Sequence, residues 1–256
     1  MIDPRAVVDP AAQLASDVIV GPYSIIGPDV HIGAGTWVGP HVVIRGPTRI
    51  GEQNKIYQFA SIGDDPQDKK YKGEQTLLEI GDRNVIRECC TINRGTVQGG
   101  GVTRIGDDNW IMAYVHIAHD CIIGNDTILV NNASLAGHVI IEDHVILGGF
   151  SLVHQFCSVG AYAFTSMASG IAKDVPPYVR VAGHMAEPYG LNSEGLKRHG
   201  FSPETVSQLR RAYKIIYRSN LTAEKAVERL RELAHECREV ERLAEFVAQS
   251  KRGIVR

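Results

Sequence analysis

The chain has 256 residues, 44% of them hydrophobic and 22% charged, which is enough for one large domain or two modest ones. Its formal net charge is -2, divided as +6 from Lys197 onward and -8 before it, a tilt too mild for nucleic acid but suited to an acidic partner for the C-terminal part. No run of about 18 apolar residues argues for a membrane span, no basic-then-apolar leader argues for secretion, and five cysteines without CxxC spacing exclude a disulfide scaffold or a cysteine zinc site and point to a reducing cytoplasm.

From the first residues onward, aliphatic side chains recur every sixth position. Ile2, Val8, Leu14, Val20, Ile26, Ile32, Val38, Ile44, Ile50, Ile56 and Ile62 form one unbroken series. The register resumes at Ile80, Ile86 and Ile92, and again from Ile105 through Ile117, Ile123, Leu135 and Leu147 to Val159. Neither a helix, with a period of 3.6, nor a plain strand, with a period of 2, gives this spacing. A period of six is the hexapeptide form of a parallel β-helix. Three hexads close one triangular coil of eighteen residues, and roughly eight coils stacked at strand spacing make a prism on the order of 40 Å long. The register predicts a mainly β chain, with the β-helix over 1–186. Two polar interruptions, 64–79 and 95–104, read as loops thrown out of the coil, where insertions often bind ligands. The segment DVPPYVRVAG after Lys173 reads as a connector.

The remainder, 187–256, predicts a small α-helical domain. A short helix near Asn192 ends at Gly200. Ser202-Pro203-Glu204 is a helix start, with a capping Ser, Pro at the first position and an acid in the first turn. Val206, Leu209, Tyr213 and Ile216 follow at helical spacing. A further helix begins after Thr222, with Ala226, Leu230, Leu233 and Ala234 on its apolar face. Val240, Leu243, Phe246 and Val247 mark another.

Because a coil returns every eighteenth residue to the same wall, the sequence alone stacks side chains in space. His119, Gly137 and Gln155 form one column, Asp120 and His138 the next, Asp126 and His144 a third. A hydroxyl attacking a thioester at neutral pH needs a base such as His and a donor for the oxyanion. A Gly amide above the His can approach closely, because no side chain blocks it. His119 beneath Gly137 meets both needs, and Asp120 is a candidate to orient the imidazole. Adjacent residues of a strand face opposite ways, so that pairing requires a turn or a neighbouring subunit. No Ser nucleophile shares the column, which favours direct transfer. A simple surface role competes for each of these residues, most of all for His144, for Lys70 in the first loop, and for Arg210, Lys214 and Arg218, which form a stripe at i, i+4 and i+8. The Gly-rich stretch at 99–101 lacks the GK[ST] of a phosphate loop.

The hexads together with the segments IAHDCIIG, NNASLAGHV, VHQF and LNSEGLKRHGFS resemble the bacterial UDP-N-acetylglucosamine O-acyltransferases over essentially the whole chain. That resemblance implies a left-handed coil, a homotrimer with active sites between subunits, and transfer of an (R)-3-hydroxyacyl group from acyl carrier protein to the sugar 3-hydroxyl, the first step of lipid A synthesis. It implies His119 as the base, Asp120 as its orienting acid and Gly137 as the oxyanion amide. Sugar and phosphate contacts would come from Gln67, Asp68, Lys70, His116, His138, His154 and Gln155, and the nucleotide end from Asn192, Glu194 and Arg198. No cofactor and no metal are expected, since the phosphopantetheine arm arrives on the carrier protein. The Arg210, Lys214 and Arg218 stripe would meet that acidic carrier.

Two positions depart from the pattern. His199 stands where a second basic residue often follows the Arg, and Asn93 where a His is common. Met167 matches the residue that closes the acyl groove. Each buried methylene contributes about 0.8 kcal/mol, whereas forcing atoms into filled space costs about 1–3 kcal/mol, so Met167 predicts a short donor such as 3-hydroxydecanoyl. Three alternatives stand beside this reading. They are the UDP-3-O-acylglucosamine N-acyltransferase, which carries an extra N-terminal uridine-binding domain, a zinc γ-class carbonic anhydrase, and an ice-binding solenoid with flat Thr arrays.

Overall fold

The computed structural model describes every residue except Glu236. Its strands, mostly two residues long, lie in three walls of nine, eight and ten strands among the described residues. The first wall runs from Val7–Val8 to Gly170–Ile171, the second from Gln13–Leu14 to Ser158–Val159, and the third from Ile19–Val20 to Val179–Ala182 and Glu187–Leu191. Every pairing is parallel except that of the last two strands.

The six-residue period is the physical origin of this shape. One aliphatic residue per hexad points to the axis, and coil stacks on coil in strict register: Ile62 on Ile92, Ile92 on Ile117, Ile117 on Leu135, Leu135 on Val153, Val153 on Ile171. These side chains form one continuous buried cluster, each contributing about 1.5–3 kcal/mol of apolar transfer. Cys90, Cys121 and Cys157 are buried in the same cluster, and burial pushes the Cys90 and Cys121 thiols up to about 12. All five cysteines are free thiols.

Between walls the chain turns a corner in two residues, the second of which takes a left-handed backbone. Asp120, His138 and Phe156 do so at the corner between the first and second walls, with φ of 61°, 63° and 64°. At the corner between the second and third walls a buried polar ladder climbs the inside. Asn54 Oδ1 accepts from the Asn84 N–H at 2.9 Å, Asn84 Oδ1 from the Asn109 N–H at 3.0 Å, and Asn109 Oδ1 from the Thr127 N–H at 2.8 Å. Each Asn amide also donates to a Gly carbonyl.

Both insertions leave the prism at the corner between the first and second walls, and both are shorter than the sequence predicts. Residues 77–79 were expected in the first loop and 102–104 in the second. Instead Leu77–Ile80 and Val102–Ile105 are paired strands of the second wall. Their alternation is that of a strand with one buried face, which the hexad count alone does not register. The expected connector after Lys173 likewise yields a strand, because Val179–Ala182 continues the third wall on Phe164–Thr165.

Four helices follow among the described residues: α1 (Ser193–Arg198), α2 (Pro203–Arg218), α3 (Ala223–Ala234) and α4 (Arg238–Gln249). Asn192, Ser202 and Thr222 cap the first three, each accepting from the backbone N–H three residues on. Leu209, Ile216, Leu230, Val240, Leu243 and Val247 form a second apolar cluster against Tyr178 and Leu196. Val227, absent from the predicted apolar face of α3, is buried there too. Arg242 bonds Glu142 at 2.9 Å, and Ser250 Oγ donates to Asp174 Oδ2 at 2.6 Å. The C-terminal residues then return to the prism, where Asp174 N–H donates to Gly253 O at 3.0 Å and Val255 N–H to Asp174 O at 2.9 Å.

Replacing Asn84 with Ala strands the Asn109 N–H and the Gly106 carbonyl without partners. The expected cost is about 1–3 kcal/mol for each group left unsatisfied, read as a lower urea midpoint at unchanged m-value. A midpoint within error of wild type would show that water replaces the ladder without cost.

Candidate active site

The turn at 119–120 answers the geometric difficulty raised by the sequence. Because Asp120 is a left-handed corner residue, its side chain does not point away from His119 as a strand neighbour would. His119 Nδ1 lies 2.7 Å from Asp120 Oδ2 within one chain. An ionised carboxylate only accepts, so Nδ1 carries the proton and Nε2 keeps a free lone pair. No neighbouring subunit is needed for this pair.

Asp120 is itself held from below. Its side chain is 0% exposed. Oδ1 accepts from the Thr96 N–H at 2.7 Å, Oδ2 accepts from Thr96 Oγ1 at 2.6 Å, and the Asp120 N–H donates to Thr103 Oγ1 at 2.8 Å. Burial alone would raise the Asp120 carboxyl, but the hydrogen bonds from His119 and Thr96 outweigh it and hold the group below the ordinary carboxylate range. Thr96 belongs to the second loop, whose Gly99 packs so closely that an added Cβ would lie 2.0 Å from the Asp120 carboxyl carbon. Thr96 stands outside the eighteen-residue register. The pairing distance there is 24 residues instead of eighteen, because the loop lengthens the coil.

One coil above, Gly137 covers the imidazole. A Cβ at Gly137 would lie 2.5 Å from His119 Cε1 and 2.8 Å from Nε2, so only Gly fits this position. Among the described residues the Gly137 N–H meets no acceptor. His138 turns its ring edge to His119 at 5.2 Å, stacks on Phe156 at 4.5 Å, and sets Nε2 3.7 Å from Asp120 Oδ2. Burial pushes His138 below the usual histidine range, against the pull of the Asp120 and Asp68 carboxylates, with His119 adding to the lowering. Asp68, from the first loop, thus reaches the same corner, while Gln67 and Lys70 beside it are exposed.

His116 lies on the first wall, with Nδ1 2.7 Å from Thr91 Oγ1, and burial followed by the nearness of His119 lowers its pKa. Thr91, 25 positions before His116, is a second partner hidden by the loop insertion. Asn93 and Arg94 secure the base of the first loop. Asn93 Nδ2 donates to Asp65 O at 2.8 Å, and Arg94 donates to Gly46 O, Gly63 O, Tyr71 Oη and Asp65. The residue at the departing position 93 is therefore committed to loop structure.

From His116 an apolar groove of about 480 Å³ climbs the first wall, lined by Leu135, Leu152, Val153, His154, Gly170 and Met185 among others. His154 and Gln155 are exposed at its edge.

The remaining predicted residues lie elsewhere on this chain. Met167 is 78% exposed on the turn between the third and first walls, outside the lining of the groove. Asn192 precedes α1, and Glu194 and Arg198 belong to it; the helix sits over the corner between the second and third walls. The Asn192 side chain already caps α1 and donates to Tyr162 O at 3.0 Å. Arg210, Lys214 and Arg218 are exposed along one face of α2. Two groups, His119 with Asp120 and His138, and Asp126 with His144 and His199, each offer one ligating atom per residue within 4.8 Å of the others. Among the described residues, no helix is long and apolar enough to cross a membrane.

A parallel coil of hexads, with a His held by a buried carboxylate and covered by a glycine, is the architecture of a hexapeptide-repeat transferase. Residues 29–64 and 103–137 match the bacterial transferase hexapeptide family, and residues 174–255 match the family described as UDP-N-acetylglucosamine O-acyltransferase, domain 2. An acyl-(acyl-carrier-protein)–UDP-N-acetylglucosamine O-acyltransferase of Alkalilimnicola ehrlichii is 62% identical over 255 residues, spanning 100% of this chain and 99% of its own. The enzyme of the same name from Thiobacillus denitrificans is 59% identical with the same coverage. Among solved structures, the UDP-N-acetylglucosamine acyltransferase of Francisella novicida superposes with a TM-score of 0.98 at 46% identity, over 100% of this chain and 94% of that one. The Arabidopsis enzyme gives 0.88 at 38% identity, over 100% of both chains. This chain belongs to the UDP-N-acetylglucosamine O-acyltransferase family, and its fold is a left-handed parallel β-helix with a small helical C-terminal part.

Asp120, with its lowered pKa, contributes stability that is fully present above the unfolded value of about 3.9 and lost as the pH falls through the lower folded value. The gap in urea midpoint between wild type and Asp120→Asn at neutral pH should therefore close on acidification below about pH 4. A gap that persists in acid would show that the carboxylate charge is not its source.

Proposed function

We propose that this acyltransferase moves an (R)-3-hydroxyacyl group from acyl carrier protein to the 3-hydroxyl of UDP-N-acetylglucosamine, as the names of its relatives state for the donor and acceptor, in the first step of lipid A synthesis. One observation carries the mechanism: His119 Nδ1 is tied to a buried carboxylate, and Gly137 packs over the imidazole so closely that a Cβ there would lie 2.8 Å from Nε2. Nε2 takes the sugar hydroxyl proton as the oxygen attacks the thioester carbonyl. The Gly137 N–H donates to the oxyanion that forms. Collapse of the tetrahedral intermediate breaks the C–S bond, and the imidazolium returns its proton to the departing pantetheine thiol. Asp120 stabilises the imidazolium without taking the proton, because its hydrogen bonds favour the charged form. The acyl tail fits the apolar groove that starts at His116. The sugar and phosphate contacts are assigned to Gln67, Asp68, Lys70, His116, His138, His154 and Gln155. Chemistry of this kind asks for no resident cofactor, and a carrier-protein donor is a cytoplasmic substrate.

The homotrimer belongs to the same proposal. In one chain the three groups assigned to the site occupy three different corners: His119 between the first and second walls, α1 over the second and third, Met167 between the third and first. They can meet only if a second copy supplies what the first lacks. Tyr23, Phe59, Tyr114 and Phe150 stand at alternate levels of the Met167 corner, each more than half exposed, with His41 stacked between the first two, an aromatic-rich edge of the sort a subunit contact covers. Asn192, Glu194 and Arg198 then serve the nucleotide of a neighbouring site, Met167 closes a neighbouring groove, and the exposed Arg210, Lys214 and Arg218 steer an acidic carrier.

An assay with UDP-N-acetylglucosamine and a panel of 3-hydroxyacyl carrier proteins tests this reading. Wild type should turn over, and His119→Ala should keep its circular dichroism spectrum while kcat falls by about 10²–10⁴. A His119→Ala enzyme with near-normal kcat would remove imidazole from the mechanism. On the same panel the wild type should favour a donor near 3-hydroxydecanoyl, and Met167→Gly should move the preference toward longer chains. An unchanged profile would show that another residue sets the length.

A further inference from the structure

A second constellation stands at the corner between the second and third walls, away from His119. Asp126 and His144 are one coil apart, both with left-handed backbone, at φ of 52° and 60°. His144 Nδ1 lies 2.8 Å from Asp126 Oδ2, and its ring stacks on Tyr162 at 4.5 Å. A third group comes from 55 residues further along the chain. His199 caps the C-terminal end of α1 and sets its ring 4.8 Å from His144 and edge-on to Tyr162 at 5.1 Å. A His–carboxylate hydrogen bond explains the first two residues. It leaves unexplained the second imidazole brought to the same point, which makes no hydrogen bond or ion pair among the described residues.

Two imidazoles and a carboxylate, two of the three residues exposed to solvent, form a donor set that suits a late first-row divalent cation. One ligating atom from each residue already lies within 4.8 Å of the other two. Tetrahedral bonds of about 2.0–2.2 Å to N and O require neighbouring donors about 3.4 Å apart. Asp126 and His144, at 2.8 Å, would open by a few tenths of an ångström in place of their shared proton, and the exposed His199 would close in from within 4.8 Å. We propose that Asp126, His144 and His199 form a site for a zinc-type divalent cation that fastens the end of α1 to the corner of the prism.

Its role follows from what α1 is. The helix has six residues, too short to be stable alone. Asn192 ties its start to the Tyr162 carbonyl, and Phe201 packs edge-on to Tyr162 at 4.9 Å beyond its end. A cation on His199 would fix that far end too. The site adjoins the nucleotide end assigned to α1, because His199 directly follows Arg198, but zinc binding is read without turnover.

Zinc binding to the full-length protein tests the site by calorimetric titration and by dialysis with elemental analysis, in a non-chelating buffer at neutral pH. The His119→Ala background removes the other cluster able to compete. One zinc per chain is expected there, with a rise in Tm of a few degrees at saturation. Adding Asp126→Asn, His144→Phe or His199→Asn should weaken binding at least about tenfold each. The Phe keeps the stack on Tyr162, and His199→Asn lies on an exposed helix end, so circular dichroism should confirm an intact fold. Magnesium at the same concentration should not raise Tm, because it prefers oxygen ligands. The site is overturned if zinc does not bind at micromolar concentration, if it binds equally well after His199→Asn, or if magnesium replaces it.

Discussion

The structure depends on coil-to-coil hydrogen bonding in fixed register. Each wall is a ladder in which a residue's N–H meets the carbonyl one coil above, as when Ala118 donates to Leu135 and Ala136 to Val153. With strands only two residues long, no wall could persist by itself. Three walls joined by two-residue corners let every strand between the two ends pair on both sides while the aliphatic axis excludes water. Side chains at the corners are thereby spaced by one strand separation up the prism. That regularity sets an imidazole, a bare amide and a second imidazole at neighbouring levels without any long-range design.

The corners carry the chemistry because the walls cannot. Wall residues point either to the axis or straight out, whereas a left-handed corner residue projects sideways toward its predecessor. Asp120 reaches His119 that way, and Asp126 is carried toward His144 by the same backbone turn. Both insertions leave from the catalytic corner on the two coils beneath it, so Thr96 can rise to the Asp120 carboxylate and Asp68 can approach His138. A site assembled from irregular loops is thus anchored to the most regular part of the molecule.

Much of this was legible in the sequence, and what was not has a common cause. The hexad period gave the axis residues, the 119/137 column and the 126/144 column, because eighteen residues separate levels wherever the coil is uninterrupted. Where a loop intervenes the separation becomes 25 or 30, as for Ile92 on Ile117 and Ile62 on Ile92, and the partners Thr91, Thr96 and Arg94 fell out of view. Continuing the count across each insertion would have found Thr91 beneath His116. The strands at Leu77–Ile80 and Val102–Ile105 were hidden because their half-buried alternation leaves no mark in a six-residue count. The closeness of His199 to His144 lies beyond any periodicity, since it depends on how α1 docks. Caps at Ser202 and Thr222 were readable because they are local.

The returning C-terminal residues have a wider consequence. A stack of identical coils has no intrinsic length, and its last coil offers a row of open backbone groups on which another prism could add, as in fibre growth. Here Gly253 and Val255 bond Asp174 at that terminus, and the helices lie alongside. The tail closes the column as a capstone does, so a repeating architecture ends as a discrete molecule.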